Sequence, residues 1–354
     1  MPFSVLAMTP HPASNCARGR VEQIEALIQT EVGRNASALF AASAGGLWRA
    51  ASALAATPQP RIGLLTGFFV PRSVPPAAET DGPAGAALLG AGLTAAGVTC
   101  RVLTDTPCHS ACAAALAGAG LPDTMLDSVA PEASLAEITA AWRDAGIDWA
   151  IAIERCGRSA DGLPRNMRGE DVSRWTAPLD DVFLAGPWDT IAIGDGGNEI
   201  GLGALPRALI AQHVEFGETI ACVTPASHLI MAGVSHWGVY GLIGALAVLR
   251  EDWRDALVGC LDEALDMRVL ETLVRAGPAV DGVSLRQALT IDTLPLPAHH
   301  SRLRAVRNAA TLNFPRGPNF FSLRPNDLQP GDLQPGDPPL RPDNPPLRPL
   351  GRRG

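Results

Sequence analysis

Apolar residues along the chain form two kinds of pattern, short continuous runs and longer stretches with helical spacing. The continuous runs are typical of strands buried on both faces of a sheet, and they occupy residues 61–70, 98–103, 125–129, 149–153, 189–194 and 219–223. Helical spacing predicts two helices within residues 20–56 and further helices at residues 83–96, 110–117 and 135–144. This alternation predicts a doubly wound α/β fold, a mostly parallel sheet with helices on both faces in a Rossmann-like three-layer arrangement.

The composition changes near residue 313, where proline, glycine, asparagine and arginine become dominant. A five-residue segment that starts at Asp327 recurs at Asp332, and no helical or strand period follows. Such a composition buries too little apolar surface to offset the entropy of ordering. We therefore expect an irregular N-terminus at residues 1–18, a single α/β domain at residues 19–312 and a disordered Pro/Gly-rich tail at residues 313–354.

Charge and composition exclude several classes of function. The 28 basic and 36 acidic residues give a net charge of -8, which argues against nucleic acid or an anionic membrane as a partner. The sequence contains no lysine, so a pyridoxal phosphate (PLP) Schiff base is excluded. We find neither a secretory signal nor an apolar run of about 18 residues. Seven scattered cysteines suit buried thiols in a reducing compartment, so we expect a cytoplasmic protein, with homo-oligomerisation left open.

The loop after the first predicted strand carries candidate site residues, because ligands of doubly wound sheets bind beyond the carboxyl ends of the strands. Thr66 lies in the carboxyl-terminal half of that run, and Glu79 and Asp81 precede the next helix. Asp81 comes shortly before Pro83, so a simple helix cap is the alternative interpretation for this one residue.

A second candidate loop follows the run at residues 149–153 and is dense in charge. Its candidate substrate-binding residues are Glu154, Arg155, Asp161, Asn166 and Arg168. Arginine forks suit the bidentate binding of a carboxylate. The alternative is a solvated, self-paired run of charges with no ligand.

A glycine-rich turn follows the run at residues 189–194 and contains Asp195, Gly196, Gly197, Asn198 and Glu199. The dinucleotide fingerprint that begins at Gly194 fails at its third glycine, where Glu199 stands, and Asp195 would repel a pyrophosphate, so no NAD is expected. The acidic residues instead offer acid/base groups or oxygen ligands for a metal. A strand-to-helix turn capped by Asn198 is the structural alternative.

Several of these segments together resemble the C-terminal domain of the D-glutamate cyclase family, over about residues 23–312. The matching motifs are Thr66-Gly-Phe-Phe, Glu79-Thr-Asp-Gly-Pro, Glu154-Arg155, Asn166-Met-Arg-Gly, Gly194-Asp-Gly-Gly-Asn-Glu-Ile-Gly and Val234-Ser-x-Trp-Gly. The resemblance implies a carbon-oxygen lyase (hydro-lyase) that converts D-glutamate to 5-oxo-D-proline. Cys156 and His236 depart from the family pattern, so we assign them no essential role.

The chemistry of ring closure suggests roles for these residues. We predict that Arg155 and Arg168 bind the substrate carboxylates, while Asn198 and the Gly196 and Gly197 amides stabilise an oxyanion. Asp195 or Glu199 would act as the base. The cofactor stays open, and a divalent cation such as Mg²⁺ or Mn²⁺ would be bound by Asp195, Glu199, Glu79 and Asp81. Two alternatives are a non-catalytic binding module for a small amino-dicarboxylate and a nucleotide-dependent enzyme.

Overall fold

The computed structural model describes residues 12–312 of the chain. Its strands are β1 (Arg61–Thr66), β2 (Phe69–Val70), β3 (Ala77–Ala78), β4 (Thr99–Asp105), β5 (Leu126–Val129), β6 (Trp149–Ile153), β7 (Asp189–Gly194), β8 (His228–Met231), β9 (Thr290–Ile291) and β10 (Leu294–Pro295). Its α-helices are α1 (Pro12–Ile28), α2 (Ser37–Ser43), α3 (Gly46–Ala55), α4 (Asp81–Ala95), α5 (His109–Gly118), α6 (Ala136–Asp144), α7 (Asp180–Ala185), α8 (Arg207–His213), α9 (Gly217–Ile220), α10 (Ser235–Leu249), α11 (Arg254–Cys260), α12 (Glu263–Ala276) and α13 (Leu296–Thr311).

Six strands form one parallel sheet in the order β5-β4-β1-β6-β7-β8. Strand β1 lies between β4 and β6, and its Leu64 is in register with Val102 on one side and Ile151 on the other. The chain winds outward from β1 through β4 to β5, then returns to β6 and winds the other way. The predicted α/β class is confirmed, and the reversal between β1 and β6 marks the sheet edge where ligands of such folds bind.

Both faces of this sheet are covered, which explains why its strands are apolar without alternation. In β6, Trp149, Ile151 and Ile153 enter one buried core, while Ala150 and Ala152 enter the other. Helices α1, α3, α4, α5 and α10–α13 contribute to the first core, and α2, α6, α7 and α8 to the second. Helix α10 is buried from Ser235 to Val248, as expected for a helix that is apolar on all sides.

The first predicted strand is shorter than expected, because the chain leaves the sheet at Gly67. This glycine has a φ of 103°, and a Cβ atom there would lie 2.4 Å from Thr104 Oγ1. Glycine alone tolerates both conditions. Beyond it, β2 pairs with β3 in a separate antiparallel ribbon that carries the chain toward Glu79.

The strand predicted at residues 219–223 is wrong. Helix α9 ends at Ile220, and the following backbone bonds to loops instead of to the sheet, with Cys222 N donating to Gly197 O and Val223 N donating to Arg158 O. The sixth strand of the sheet is β8. Helix α1 begins at Pro12, so residues 12–18 are helical instead of irregular, while the predicted tail at residues 313–354 lies outside the described residues.

Candidate active site

A cavity of about 510 Å³ opens beyond the carboxyl ends of the central strands. Its acidic wall contains Glu79, Glu154, Asp195, Glu199 and Asp292, and its lining also includes Arg34, Phe68, Phe69, Arg72, Asn166, Met167, Arg168 and Val283. The volume is in the usual range for small-molecule sites. The position matches the edge at which the order of the strands reverses.

Three buried carboxylates meet at this edge. Asp81 is the first residue of α4, Glu154 follows β6 and Asp195 follows β7, and one oxygen of each lies within 4.8 Å of the other two. They are 4%, 8% and 1% exposed, respectively. The close approach of α4 depends on Gly82, because a Cβ atom there would lie 2.6 Å from Thr66 Oγ1.

Ser235, at the start of α10, holds two members of this cluster. Its backbone N–H donates to Asp195 Oδ2 at 2.9 Å, and its hydroxyl donates to Glu154 Oε2 at 2.5 Å. Glu154 itself has a φ of 43°, a left-handed conformation that is uncommon for a residue with a side chain. The first turn of α10 therefore fixes the orientation of both carboxylates.

Three acidic side chains at the site keep oxygen atoms without hydrogen-bond partners among the described residues. These are both carboxylate oxygens of Asp81, Oε1 of Glu79 and Oδ2 of Asp292. Burial raises the pKa of Glu79 well above its ordinary value, and the nearby Asp81 raises it further. Burial, reinforced by Asp292, also raises the pKa of Asp81 to about 7. Asp81 is not a helix cap, so the alternative interpretation of this residue is not supported.

Arg34 brings positive charge to the acidic wall from the turn between α1 and α2. Its guanidinium forms ion pairs with Asp195 and Asp292, and its side chain is 23% exposed. Burial would lower the pKa of Arg34, but Asp292 and the other carboxylates around it raise the pKa above its ordinary value. Glu31 holds the turn by accepting hydrogen bonds from consecutive backbone amides, among them Arg34 N at 2.7 Å and Ala36 N at 2.7 Å.

Several residues predicted from sequence do come together at this site. Glu79, Glu154, Asp195 and Glu199 line the cavity, and Asp81 completes the acidic cluster beside them. Asn166 and Arg168 line the cavity from the turn at residues 166–169. The Asn166 side chain shapes that turn, because its Oδ1 accepts from the backbone N–H groups of Arg168 and Glu170 at 3.0 Å each.

Arg155 does not face the cavity, contrary to the prediction that it binds a substrate carboxylate. Its guanidinium is 1% exposed, pairs with Asp105 at 2.6 Å and donates to the carbonyl oxygens of Gly67 and Ala177. Asp161 is also outside the cavity, because its carboxylate accepts from Arg165 and Ser159 on the exposed part of the loop.

Thr66 connects the ends of two strands instead of lining the cavity, since its hydroxyl donates to Ile153 O at 3.0 Å. The side chain thus ties β1 to β6 directly below the site.

The predicted oxyanion site in the glycine-rich turn is occupied by the chain's own Glu199. The carboxylate of Glu199 accepts from the N–H groups of Asp195 at 3.1 Å and of Gly196 and Gly197 at 2.6 Å each. The side-chain amide of Asn198 donates to Arg165 O at 2.8 Å. These amides are unavailable to a substrate, and Glu199 has a structural role in the turn instead of the predicted role of base or metal ligand.

Sequence reasoning missed Arg34, Ser235 and Asp292. Arg34 lies in a region that we interpreted as packing helices, although the polar segment after Ile28 indicates a turn there. Asp292 lies in the β9–β10 turn, far along the chain from the strand ends on which the prediction relied. Ser235 lies inside a recognised motif and was assigned no role.

The cysteines offer no alternative chemistry at the site. Burial raises the pKa of Cys156 well above its ordinary value, so its thiol stays protonated. His236 is buried and pairs with Asp266 at 2.8 Å. We therefore continue to assign Cys156 and His236 no essential role.

Comparison with known proteins places this architecture in a family. The family model described as D-glutamate cyclase-like, C-terminal, matches residues 24–307. The human (Homo sapiens) protein named D-glutamate cyclase, mitochondrial, is 32% identical over 200 residues, which are 52% of this chain. The matched segment spans 32% of the length of that relative. The chain therefore belongs to the D-glutamate cyclase-like C-terminal family.

Proposed function

We propose that this chain is a D-glutamate cyclase-type lyase that converts D-glutamate to 5-oxo-D-proline and water. The reaction joins the α-nitrogen to the carbon of the γ-carboxyl group, and one oxygen of that group leaves as water. The observation that carries the proposal is a cavity with an acidic wall and arginines around it, in a chain that belongs to this family. An α-ammonium group suits the carboxylates of the wall, and the two substrate carboxylates suit the arginines.

Arg168 is the candidate for holding a substrate carboxylate. It lines the cavity and is exposed to solvent. Arg34 lies on the wall itself, between Asp195 and Asp292. This pair of arginines replaces the predicted pair of Arg155 and Arg168.

Asp292 is the candidate proton acceptor. It lines the cavity, one oxygen pairs with Arg34, and Oδ2 has no hydrogen-bond partner among the described residues. Burial raises the pKa of Asp292 above its ordinary value, which brings it closer to the pKa of an ammonium group. The ammonium group gives up two protons as the ring closes and the lactam nitrogen keeps one. Both released protons can pass to the departing oxygen, which leaves as water, so the reaction needs no net proton exchange with solvent.

Confinement contributes alongside the acid/base groups. The attacking nitrogen and the γ-carboxyl carbon belong to one molecule, so the reaction is already intramolecular in solution. A cavity that holds the folded conformer removes the remaining entropic cost of fixing the rotatable bonds of the chain.

We also propose that no nicotinamide or pyridoxal cofactor takes part. The turn amides that a dinucleotide phosphate would need are bonded to Glu199, and the chain has no lysine for a Schiff base. A cytoplasmic location remains our proposal from the cysteines, which are all free thiols. No helix within residues 12–312 is long and apolar enough to cross a membrane.

The direct test incubates the purified chain with D-glutamate and, separately, with L-glutamate, and follows 5-oxoproline by chiral chromatography. We expect D-glutamate to be consumed well above its spontaneous rate of cyclisation, measured in parallel with heat-inactivated protein. Saturable binding of glutamate without product would support a binding module instead. Absence of both binding and product would overturn the proposed function.

A further inference from the structure

We propose that Asp81, Glu154 and Asp195 form a binding site for one hard divalent cation, Mg²⁺ or Mn²⁺. The three carboxylates come from α4, the end of β6 and the end of β7, and one oxygen of each lies within 4.8 Å of the others. Oxygen ligands bind Mg²⁺ at about 2.0–2.1 Å, so ligands on opposite sides of one ion are separated by roughly 4.2 Å. The observed limit of 4.8 Å is close to this separation, so a small rotation of the side chains would bring all three oxygens onto a single ion.

The second observation is that the Asp81 carboxylate is buried without hydrogen bonds from the rest of residues 12–312. Its side chain is 4% exposed, and neither of its carboxylate oxygens has a hydrogen-bond partner among the described residues. Buried carboxylates in proteins are normally paired, hydrogen-bonded or bound to a metal. The backbone N–H of His236 is the donor nearby and makes no well-formed hydrogen bond to it, so a carboxylate that lies beside two others is accounted for by a cation that all three share.

The distribution of charge on the wall supports the same conclusion. Arg34 neutralises one oxygen of Asp195 and one of Asp292, and three amides neutralise Glu199. Arg34 forms no ion pair with Asp81 or Glu154 and acts on these two buried groups only at longer range, as His236 does on Asp81. A divalent ion would supply the positive charge where the side chains of the wall do not.

The surroundings of the three carboxylates resemble the second shell of a metal site. Ser235 donates to Glu154 Oε2 and to Asp195 Oδ2, which orients both groups and leaves each carboxylate with further lone pairs for an ion. Glu154 and Asp195 line the cavity, which offers the ion a path from solvent. Ligands that are all carboxylates favour Mg²⁺ or Mn²⁺ over Zn²⁺, because none is sulfur or imidazole.

Three protein ligands leave coordination positions open toward the cavity. A carboxylate oxygen of the substrate can take one of them, which would allow a doubly anionic substrate to bind beside an acidic wall. This use of the ion rests on the proposed function, whereas the binding of the ion itself does not. The set differs from the metal ligands expected from sequence, since Glu154 replaces Glu79 and Glu199.

The test measures binding of MnCl₂ to the full chain, without substrate, by electron paramagnetic resonance after dialysis against EDTA. We expect one saturable Mn²⁺ site, weakened at least about tenfold in Asp81→Asn and in Glu154→Gln. The matched control is Asp252→Asn, a change at an exposed aspartate paired with Arg250, which should bind Mn²⁺ as the wild type does.

Thermal melting provides a second measurement on the same proteins. Mn²⁺ should raise the melting temperature of the wild type and of Asp252→Asn, and the shift should disappear in Asp81→Asn. If Asp81→Asn does not fold, Glu154→Gln and Asp195→Asn serve in its place. No saturable Mn²⁺ binding by the wild type, or equal binding by the wild type and the cluster variants, would overturn the site. Because glutamate is absent, either result is independent of whether the chain makes 5-oxoproline.

Discussion

Replacing Glu199 by glutamine separates its structural role in the turn from the role of base that the sequence suggests. The wild-type carboxylate is 1% exposed and accepts three backbone hydrogen bonds, two at Oε1 and one at Oε2. In the variant, one of the two oxygens becomes an NH₂ group, which faces a backbone N–H and cannot accept from it. With Oε1 retained, the bond from Gly197 is lost, and the bonds from Asp195 and Gly196 lose their ionic character.

The magnitude follows from these bonds. A hydrogen bond to a charged group contributes about 1.5–3 kcal/mol, and a buried donor left unpaired costs about 1–3 kcal/mol. Removing one negative charge from the acidic wall also reduces the repulsion between its carboxylates, which raises the free energy of unfolding and offsets part of this loss. We therefore expect Glu199→Gln to lower the free energy of unfolding by about 2–4 kcal/mol, a large part of the roughly 5–15 kcal/mol of a typical domain.

Urea unfolding followed by circular dichroism measures this change, with Glu218→Gln as the control. Glu218 lies on the exposed side of α9, so its substitution should stay within about 0.5 kcal/mol of the wild type. A Glu199→Gln protein that unfolds like the wild type but has lost turnover would refute our interpretation and restore Glu199 as a catalytic base.

Three further outcomes follow from the site. Asp292→Asn should lower kcat by about 10²–10⁴-fold with little change in melting temperature, because Arg34 keeps its pair with Asp195, and a kcat near that of the wild type would remove Asp292 as the base. Arg168→Ala should raise KM for D-glutamate with a smaller effect on kcat, and an unchanged KM would exclude Arg168 from the binding of carboxylates. Although burial alone would raise the pKa of Asp266, His236 and other donors lower it, so the stability that Asp266 contributes is present above about pH 4 and lost as the pH falls below that value. The difference in melting temperature between the wild type and Asp266→Asn should accordingly stay nearly constant from pH 7 to pH 4 and shrink as the pH falls below 4, and a difference that does not shrink there would contradict the pairing.

Much of the sheet could be predicted because its strands are buried on both faces. Residues 149–153 and 189–194 match β6 and β7 residue for residue, since continuous apolar runs of that length have few other places in a soluble fold. Residues 219–223 have the same apolar character but lie beside the site loops, where tertiary hydrogen bonds determine the backbone. The local pattern of apolar residues cannot distinguish these two surroundings.

The site residues that come shortly after a strand in the sequence could be predicted. Glu79, Asp81, Glu154 and Asp195 come together because parallel strands end at a common edge. Arg34 is 161 residues from Asp195 along the chain and belongs to no strand end, so no local pattern connects the two.

The hydrogen-bond partners of the glycine-rich turn could not be predicted from the sequence. Spacing alone indicated that the amides of Gly196 and Gly197 face a ligand, whereas three-dimensional contacts assign them to Glu199. A buried acid close to a glycine turn can bind the turn as readily as a substrate, and only the geometry distinguishes the two.

The most direct test of the central claim uses D-glutamate labelled with ¹⁸O at both γ-carboxyl oxygens. Ring closure with loss of water predicts 5-oxo-D-proline that retains one ¹⁸O atom per molecule, with the other released as labelled water, and mass spectrometry of the product measures this ratio. Recovery of intact labelled glutamate, or loss of its label without formation of the ring, would contradict the account.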